Sequence, residues 1–321
     1  MTIEEIRMED LTPGKFIEQK VHEISSAVGS GLAINALSGG VDSSAVTMLG
    51  HRALGKRLKT YFIENGLMRH DEPQEIVSLF EGLGVPVEIV DAQKQFFDAL
   101  KGLTDPEEKR EAITQTFYRD VFGKLVRESG ARYLLQGTNY TDVEETVAGI
   151  KRQHNILGQL GIDTKEEYGY TVIEPLIQLR KTAIREVAKT LGLPVEIYTR
   201  PPFPGPALAA RVIGEVTPER VEIVRNATKI VEEELCDTGT FQYLAILHDD
   251  RVTGVRKGRR DYGFQIEVRC WDSKDAITGL PTRLPYDVLD KLAERITTKV
   301  PGVVSVTYNI TRKPPSTIEA V

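Results

Sequence analysis

Residues 33–49 read AINALSGGVDSSAVTML, and this stretch decides the fold class. A short apolar run stops at two glycines, and a segment with helical spacing of apolar residues follows. Small residues after a buried strand let the backbone turn tightly and expose several amide N–H groups. The following helix points its N-terminus into the same space, which favours an anion. The stretch therefore predicts a strand, an anion-binding loop and a helix.

The polar residues of this loop differ from those of the common phosphate-binding loop, GxxxxGK[ST], because the lysine of that pattern is absent. Asp42 lies in the loop instead, and a carboxylate beside phosphates is expected where Mg²⁺ lies between them. Ser38, Ser43 and Ser44 can donate hydroxyl hydrogen bonds to phosphate oxygens. The alternative interpretation is a strand-to-helix turn in which Ser43 only caps the helix.

Strand-like apolar runs alternate with helical patterns from about residue 31 to 193. KTYFIEN precedes DEPQEIVSLFEGL, for example, and GYTVIEPL precedes RKTAIREVAKTLGL. Continuous apolar strands separated by amphipathic helices predict an α/β fold, a parallel sheet with helices on both faces. Ligands of such sheets bind at the carboxyl ends of the strands.

The proline-rich segment YTRPPFPGPALAARVIG interrupts this alternation, and the pattern after it changes. A helix in PERVEIVRNATKIVEEEL is followed by strands near FQYLAILH and YGFQIEVRCW, a helix in YDVLDKLAERITTKV and a strand in VVSVTYNIT. We therefore expect a first domain over residues 1–206 and a smaller α+β domain over residues 207–321.

The bulk composition is that of a globular protein. Of the 321 residues, 40% are apolar and 27% charged, and the formal charge of −6 favours neither nucleic acid nor a membrane surface. The apolar runs are too short to span a bilayer, and the opening residues MTIEEIRMEDLTPGK lack the pattern of a signal peptide. We expect a cytoplasmic protein.

The string SGGVDSS resembles the SGGxDS motif of the PP-loop ATP pyrophosphatases. These enzymes cut ATP between its α- and β-phosphates, and their loop holds the pyrophosphate half. Further segments narrow the resemblance, since FIENGLMR, LLQGT, IEPL, PFPGPALAARVIGEVTPER and KPPSTIE occur in one order along the chain. Together they resemble the family of ATP-pyrophosphatase subunits of GMP synthetases, from about residue 15 onward.

The resemblance implies a reaction. ATP adenylylates the O2 oxygen of xanthosine 5′-monophosphate (XMP) and releases pyrophosphate, and ammonia then displaces AMP to leave GMP. The C-terminal domain of the family forms a homodimer. Nothing in the chain resembles the Cys-His-Glu site of the family's glutaminase domain, so we expect ammonia from a separate glutamine amidotransferase subunit or from free ammonium.

The resemblance also implies residue roles on the ATP side. Asp42, as Mg²⁺ ligand, and Lys151 of IKRQHN match the family's catalytic positions. The positions that match its ATP and pyrophosphate site are Ser38, Gly39, Gly40, Asp42, Ser43, Ser44, Asn65, Gly66, Arg69 and Gly137. Without the family context, a lone lysine such as Lys151 is more often a solvated surface charge.

On the acceptor side, the positions matching the family's substrate site are Asp142, Glu145, Arg200, Pro204, Gly205, Arg260, Lys313, Thr317 and Glu319. Two of these assignments have structural alternatives. Asp142 and Glu145 can form a helix-capping pair, and the basic cluster RVTGVRKGRRDYG around Arg260 is typical of a solvated hairpin.

Four segments depart from the family pattern. IKRQHN replaces IKSHHN, FPGPALA replaces FPGPGLA, GVRKGRRDY replaces GVQGDxRxY, and IEAV replaces IEWE. All four lie on the acceptor and dimer side, whereas the ATP loop is intact. One alternative is therefore a divergent paralogue that adenylylates another carbonyl or carboxyl group. A second is a non-catalytic ATP-binding regulatory subunit, against which the presence of Asp42 and Lys151 argues.

Overall fold

The computed structural model describes residues 3–147, 170–199, 203–273 and 278–320, with the backbone alone for 145–147. Within these residues, none of the helices has the length and apolar character that a bilayer crossing requires. The chain divides into two compact units. The first comprises residues 1–63, 73–91 and 117–200, and the second comprises residues 64–72, 92–116 and 201–321.

A five-stranded sheet forms the centre of the first unit, in the order β3-β2-β1-β4-β5. Strand β1 pairs in parallel with β2 on one side and β4 on the other, and β4 pairs in parallel with β5. The strands are β1 (Ala33–Ala36), β2 (Leu58–Glu64), β3 (Val87–Asp91), β4 (Tyr133–Leu135) and β5 (Thr171–Ile173). The chain reverses direction across the sheet between β1 and β4, and ligands bind beyond the carboxyl ends of strands at such a switch point.

The helices that precede, connect and follow these strands agree with the apolar spacing of the sequence. They are α1 (Pro13–Val28), α2 (Val41–Leu54), α3 (Glu72–Gly82), α4 (Gln93–Leu100), α5 (Pro106–Gln115), α6 (Gly123–Ser129), α7 (Tyr140–Val147), α8 (Lys181–Thr190) and α9 (Val195–Tyr198). Helices α1, α2 and α8 pack against one another. The predicted single helix over KREAITQTFYRDVFGKLVRES is in fact α5 and α6, joined by a π-helical segment, Thr116–Phe122.

A buried chain of hydrogen bonds fixes α2 against the sheet. Thr60 Oγ1 donates to Asn35 Oδ1 at 2.8 Å, and Asn35 Nδ2 donates to Thr47 Oγ1 at 2.6 Å. Thr47 Oγ1 in turn donates to the carbonyl of Ser43 at 2.8 Å. Buried polar groups that are fully paired specify one arrangement, so this chain sets the position of the first turn of α2.

The second unit contains a four-stranded sheet. Strand β6 (Gln242–Arg256) pairs antiparallel with β7 (Arg259–Asp272), which also pairs antiparallel with β8 (Leu280–Pro281) and parallel with β9 (Val303–Tyr308). Helix α10 (Pro218–Leu235) packs on β6, and α11 (Tyr286–Lys299) packs on β9 and α10. The predicted fold class, a parallel α/β sheet followed by a smaller α+β domain, is confirmed.

Candidate active site

The loop between β1 and α2 lies at the switch point of the sheet. Gly39 has a φ of +77°, and Gly40 precedes the first residue of α2, which has no side-chain cap. Ser38 N donates to Ser43 Oγ at 3.2 Å, and Ser43 Oγ donates to the carbonyl of Gly40 at 3.0 Å. These hydrogen bonds fix the loop, and the first amides of α2 precede the carbonyls that accept within the helix, so they are able to bind an anion.

The segment after β4 contacts this loop. A Cβ atom at Gly137 would lie 3.2 Å from the backbone carbon of Asp42 and 3.3 Å from Ser43 N, so only glycine allows this approach without displacement. Two residues further on, Asn139 Nδ2 donates to Asp42 Oδ2 at 3.3 Å. The loops after β1 and β4 therefore form one site, in which Gly137 lies next to the N-terminus of α2; its contact with ATP stays a prediction.

The second carboxylate oxygen of Asp42 is buried, and no hydrogen bond to Oδ1 exists within the described part of the chain. Burial raises the pKa of Asp42 above its ordinary value; the charge of Lys181 opposes this shift, and Asp142 adds to it. A buried carboxylate oxygen without a donor carries a large desolvation cost, which a cation would offset.

Asp42 fits the Mg²⁺ that the sequence predicts. No group of three or more His, Cys, Asp or Glu side chains that could hold a metal occurs among the described residues. Mg²⁺ in nucleotide sites is commonly bound through one or two carboxylates, with the remaining ligands from phosphates and water. A single carboxylate with an unpaired buried oxygen beside an anion-binding helix N-terminus meets that requirement.

Two cations near Asp42 were not predicted from the sequence. Lys181 and Arg185 interact electrostatically with the Asp42 carboxylate, and they lie one turn apart at the beginning of α8. Lys181 occupies the first residue of that helix, where the helix dipole disfavours a positive charge. This unfavourable position is the one feature of the sequence that could have indicated a functional role for Lys181. No local pattern, however, relates residue 181 to residue 42.

Asp142 forms a helix cap with Asn139. Asn139 N donates to Asp142 Oδ2 at 3.0 Å, and Asp142 N donates to Asn139 Oδ1 at 3.2 Å. This reciprocal pair is a capping arrangement at the start of α7. The partner of Asp142 in it is Asn139, whereas the sequence suggested Glu145. Glu145 also lies in α7, but its side chain is not described. A substrate contact by either residue stays a prediction.

The predicted residues Asn65, Gly66 and Arg69 lie in the second unit, on the segment that follows β2. Asn65 Oδ1 accepts from Leu67 N at 2.8 Å, and Gly66 has a φ of +76°. Arg69 Nε donates to Glu232 Oε1 at 2.6 Å, and its guanidinium lies 3.9 Å from the ring centre of Phe203. These contacts order the segment, and a contact with ATP stays a prediction.

The proline-rich segment continues into a short 3₁₀ helix, Ala207–Arg211. Pro204 accepts at its carbonyl from Ala207 N at 2.9 Å, and Gly205 is exposed. Two predicted site residues, Lys151 and Arg200, lie outside the described residues. Ala207 is buried and has a φ of +53°, in the left-handed region that favours glycine.

Replacing Ala207 by glycine is expected to stabilise the protein. The left-handed conformation costs a residue with a Cβ roughly 1–2 kcal/mol, and the greater chain entropy of glycine offsets about half of that. We expect a gain of about 0.5–1 kcal/mol, seen as a higher midpoint of urea unfolding. Ala209→Gly, at an equally buried position without positive φ, should lower the midpoint. Equal losses in both variants would contradict the argument.

The predicted residues Arg260, Lys313, Thr317 and Glu319 are also in the second unit. Arg260 is exposed on the β6–β7 hairpin, whose turn has positive φ at Lys257 and Gly258. The hairpin is longer than the sequence patterns predict, because its outer part contains few apolar residues. Lys313 pairs through its backbone with Gly279, at 2.9 Å and 3.1 Å. Thr317 Oγ1 donates to the carbonyl of Glu319 at 2.6 Å.

Comparison with known proteins agrees with this architecture. Residues 12–207 match the NAD synthase family model, and residues 229–320 match that of the GMP synthase C terminal domain. The B subunit of GMP synthase [glutamine-hydrolyzing] from Archaeoglobus fulgidus is 50% identical over 305 residues, which cover 95% of this chain and 98% of that protein. The B subunit from Pyrococcus furiosus is 47% identical, over 95% of this chain and 96% of that protein. The B subunit from Methanopyrus kandleri is 45% identical, over 96% of this chain and 98% of that protein.

The parallel sheet and the SGGVDSS loop at its switch point define an ATP pyrophosphatase of the PP-loop class. The identity extends through both units of the chain. The chain belongs to the family of GMP synthase B subunits.

Proposed function

We propose that the protein catalyses the ATP-dependent amination of XMP to GMP, with release of AMP and pyrophosphate. The observation that carries this proposal is the site at the switch point. There, the unpaired buried oxygen of Asp42 lies beside a helix N-terminus, in a chain of the family of GMP synthase B subunits. The divergent paralogue is not favoured, because the relatives match over nearly the whole chain, including the acceptor side.

The chemistry divides into two displacements. The O2 oxygen of XMP attacks the α-phosphorus of ATP, and the bond from that phosphorus to the bridging oxygen breaks, so pyrophosphate leaves. Ammonia then attacks C2, and the C2–O bond breaks, so AMP leaves with the former O2 oxygen while the nitrogen loses a proton. Adenylylation therefore converts a poor leaving group into a good one.

The residues at the switch point serve the first displacement. The first amides of α2 bind the departing pyrophosphate, and the Ser38 and Ser43 hydroxyls keep that loop in place. Asp42 would hold Mg²⁺, which when bound neutralises charge on the pyrophosphate. Lys181 and Arg185 add positive charge that acts on the Asp42 carboxylate. Charge stabilisation that is already oriented requires little reorganisation during the reaction.

The path of the oxygen tests this reaction directly. XMP labelled with ¹⁸O at C2 is converted with ATP, Mg²⁺ and ammonium, and the products are analysed by mass spectrometry. We expect the label in the phosphate of AMP, since the C2–O bond breaks in the second displacement. GMP formed with no label in AMP would contradict an adenylylated intermediate.

Lys181→Ala is expected to lower kcat for pyrophosphate release about 100-fold, the usual effect of removing one group that stabilises developing charge. Stability should change little, because the loss of a charge that favours ionised Asp42 and the removal of a cation from a helix N-terminus have opposite effects on the free energy of unfolding. Lys189→Ala, an exposed lysine in the last turn of the same helix, is the matched control. If both variants keep wild-type kcat, Lys181 does not act on the phosphates.

The proposal extends to the source of ammonia. The relatives are named as glutamine-hydrolyzing and as B subunits, which fits a separate glutamine amidotransferase subunit. The chain alone is then expected to form GMP with ammonium but not with glutamine, and glutamine-dependent turnover of the pure chain would contradict this. The Mg²⁺ requirement and the cytoplasmic location belong to the same proposal.

A homodimer through the second unit is part of this proposal as well. Large apolar side chains that are exposed in the described part of this unit are Val255, Tyr262, Leu280, Tyr286 and Ile310. The hairpin register pairs Val255 with Arg260 and Thr253 with Tyr262, so Val255 and Tyr262 lie on one face. We expect a dimer in sedimentation equilibrium and monomers for Val255→Glu/Tyr262→Glu. Met8→Glu, an exposed apolar residue of the first unit, is the control, and a monomeric wild type would contradict the proposal.

A further inference from the structure

Residues 313–320, here called the closing segment, are held in place by apolar and polar side chains of the second unit. Ile318 is buried in a cluster with Leu244, Ile246 and Trp271. Its two neighbours, Thr317 and Glu319, are partly or fully exposed, which leaves them accessible to a ligand. The apolar contact fixes the depth of the segment but not the direction of its polar groups, because burial is not directional.

Arg269 fixes the backbone of the closing segment. Its Nη1 lies 2.8 Å from the carbonyl oxygen of Thr317, 3.2 Å from that of Ile318 and 3.4 Å from that of Glu319. Arg269 is only 9% exposed, so these bonds are shielded from water. The two hydrogens of Nη1 lie in the rigid guanidinium plane, so this group can hold the two nearest carbonyls, those of Thr317 and Ile318, in a fixed turn.

Arg269 itself is held by Glu267. Arg269 Nε donates to Glu267 Oε1 at 2.5 Å, and Asn309 Nδ2 donates to the same oxygen at 3.0 Å. His248 Nε2 lies 2.8 Å from Glu267 Oε2. Burial would raise the pKa of Glu267, but the hydrogen bonds from His248, Asn309 and Arg269 outweigh it and lower the pKa to about 2. Glu267 is therefore ionised at every pH at which the protein is expected to work.

Arg211 fixes the side chain of Glu319. Its Nε and Nη2 donate to the two oxygens of the Glu319 carboxylate, each at 3.2 Å, and Gln242 Nε2 donates to Oε1 at 2.9 Å. Arg211 is 1% exposed, whereas the Glu319 side chain is 20% exposed. The buried arginine thus orients a carboxylate that still reaches solvent, and Oε2, which accepts one hydrogen bond from these partners, has a lone pair left for another donor.

We propose that Arg211 and Arg269 are positioning residues for the nucleotide acceptor, acting through Glu319 and through the backbone of the closing segment. This inference rests on the proposed function, and it adds two residues to which the sequence analysis assigned no role. A Glu319 carboxylate held in one orientation accepts hydrogen bonds from the hydroxyl or N–H groups of an acceptor nucleotide without loss of side-chain entropy on binding. ATP binding should not depend on the orientation of the Glu319 carboxylate.

Steady-state kinetics of Arg211→Met and Arg269→Met test this. Methionine keeps much of the side-chain volume and removes the donors, so KM for XMP should rise at least about tenfold, the loss expected for one charge-assisted hydrogen bond. KM for ATP should change less than about twofold. Arg211→Lys and Arg269→Lys should recover part of the affinity for XMP. Arg295→Met, which removes ion pairs with Glu233 and Glu234 in the same unit, should leave both KM values unchanged.

A double-mutant cycle separates positioning from general destabilisation. If Arg211 acts through Glu319, Arg211→Met adds almost nothing to the effect of Glu319→Gln on KM for XMP. Independent, multiplying effects would overturn the inference, as would unchanged KM for XMP in both arginine variants. If Arg211→Met does not fold, Gln242→Met replaces it in the cycle, because Gln242 contacts the same carboxylate. A wild-type protein without XMP-dependent turnover would instead refute the proposed function itself.

Discussion

Asp42→Asn is expected to reduce pyrophosphate release from ATP about 1,000-fold, because the amide cannot hold Mg²⁺ as a carboxylate does. The loop should remain in place, since Asn139 can still donate to an oxygen at position 42. The measurement is initial-rate pyrophosphate release with saturating ATP, XMP and ammonium. Asp120→Asn, an exposed aspartate of the same unit, is the control. Turnover at the wild-type rate would remove Asp42 from the reaction and favour a regulatory ATP-binding role.

The same substitution should stabilise the ligand-free protein. Burial raises the pKa of Asp42 above its ordinary value, so the folded state binds a proton more tightly than the unfolded state does. Stability from this group is present at low pH and is lost as the pH rises through the raised pKa. Asp42→Asn removes that loss, so its melting temperature should exceed that of wild type at pH 7 and approach it near pH 4. A lower melting temperature at pH 7 would contradict this account of the site.

Gly137→Ala is expected to lower pyrophosphate release about 100-fold. The added methyl would lie 3.2–3.3 Å from backbone and Cβ atoms of Asp42 and from Ser43 N, and these atoms belong to the first turn of α2. That turn must move by a few tenths of an ångström, and small displacements of groups that position reacting atoms cost large factors in rate. KM for ATP should rise together with the fall in kcat.

A matched substitution isolates this effect. Gly14 lies in the first turn of α1, and a Cβ there meets nothing within 4 Å, so Gly14→Ala should leave the kinetics unchanged. If Gly137→Ala also behaves as wild type, the approach of the two loops does not matter for catalysis. If both variants lose activity equally, the fold does not tolerate glycine-to-alanine substitutions in general, and the loss is not specific to position 137.

The first unit was largely predictable because its information is local. A buried strand, two glycines and an amphipathic helix occur within residues 33–54, and the same alternation recurs through β5. The contact of Gly137 with the loop follows from the strand order, in which β4 is the neighbour of β1. Strand order depends on packing across the whole sheet, and no short segment of the sequence encodes it.

Other parts of the site depend on residues far apart in the chain. Lys181 and Arg185 approach Asp42 only because β5 places α8 beside α2. Arg211 meets Glu319 across 108 positions, and Arg269 meets Thr317 across 48. A basic residue on a helix or strand has no local pattern that distinguishes a buried pair from a solvated charge. The domain boundary at residue 206 and the substrate contacts of the predicted site residues stay predictions.

The central claim, that ATP is cleaved in order to aminate XMP, is tested most directly by pyrophosphate release from ATP with Mg²⁺ and ammonium, measured with and without XMP. We predict release only when XMP is present, with one pyrophosphate and one AMP formed for each GMP. A folded, ATP-binding protein that shows no XMP-dependent release, or that releases pyrophosphate without forming GMP, would contradict the account.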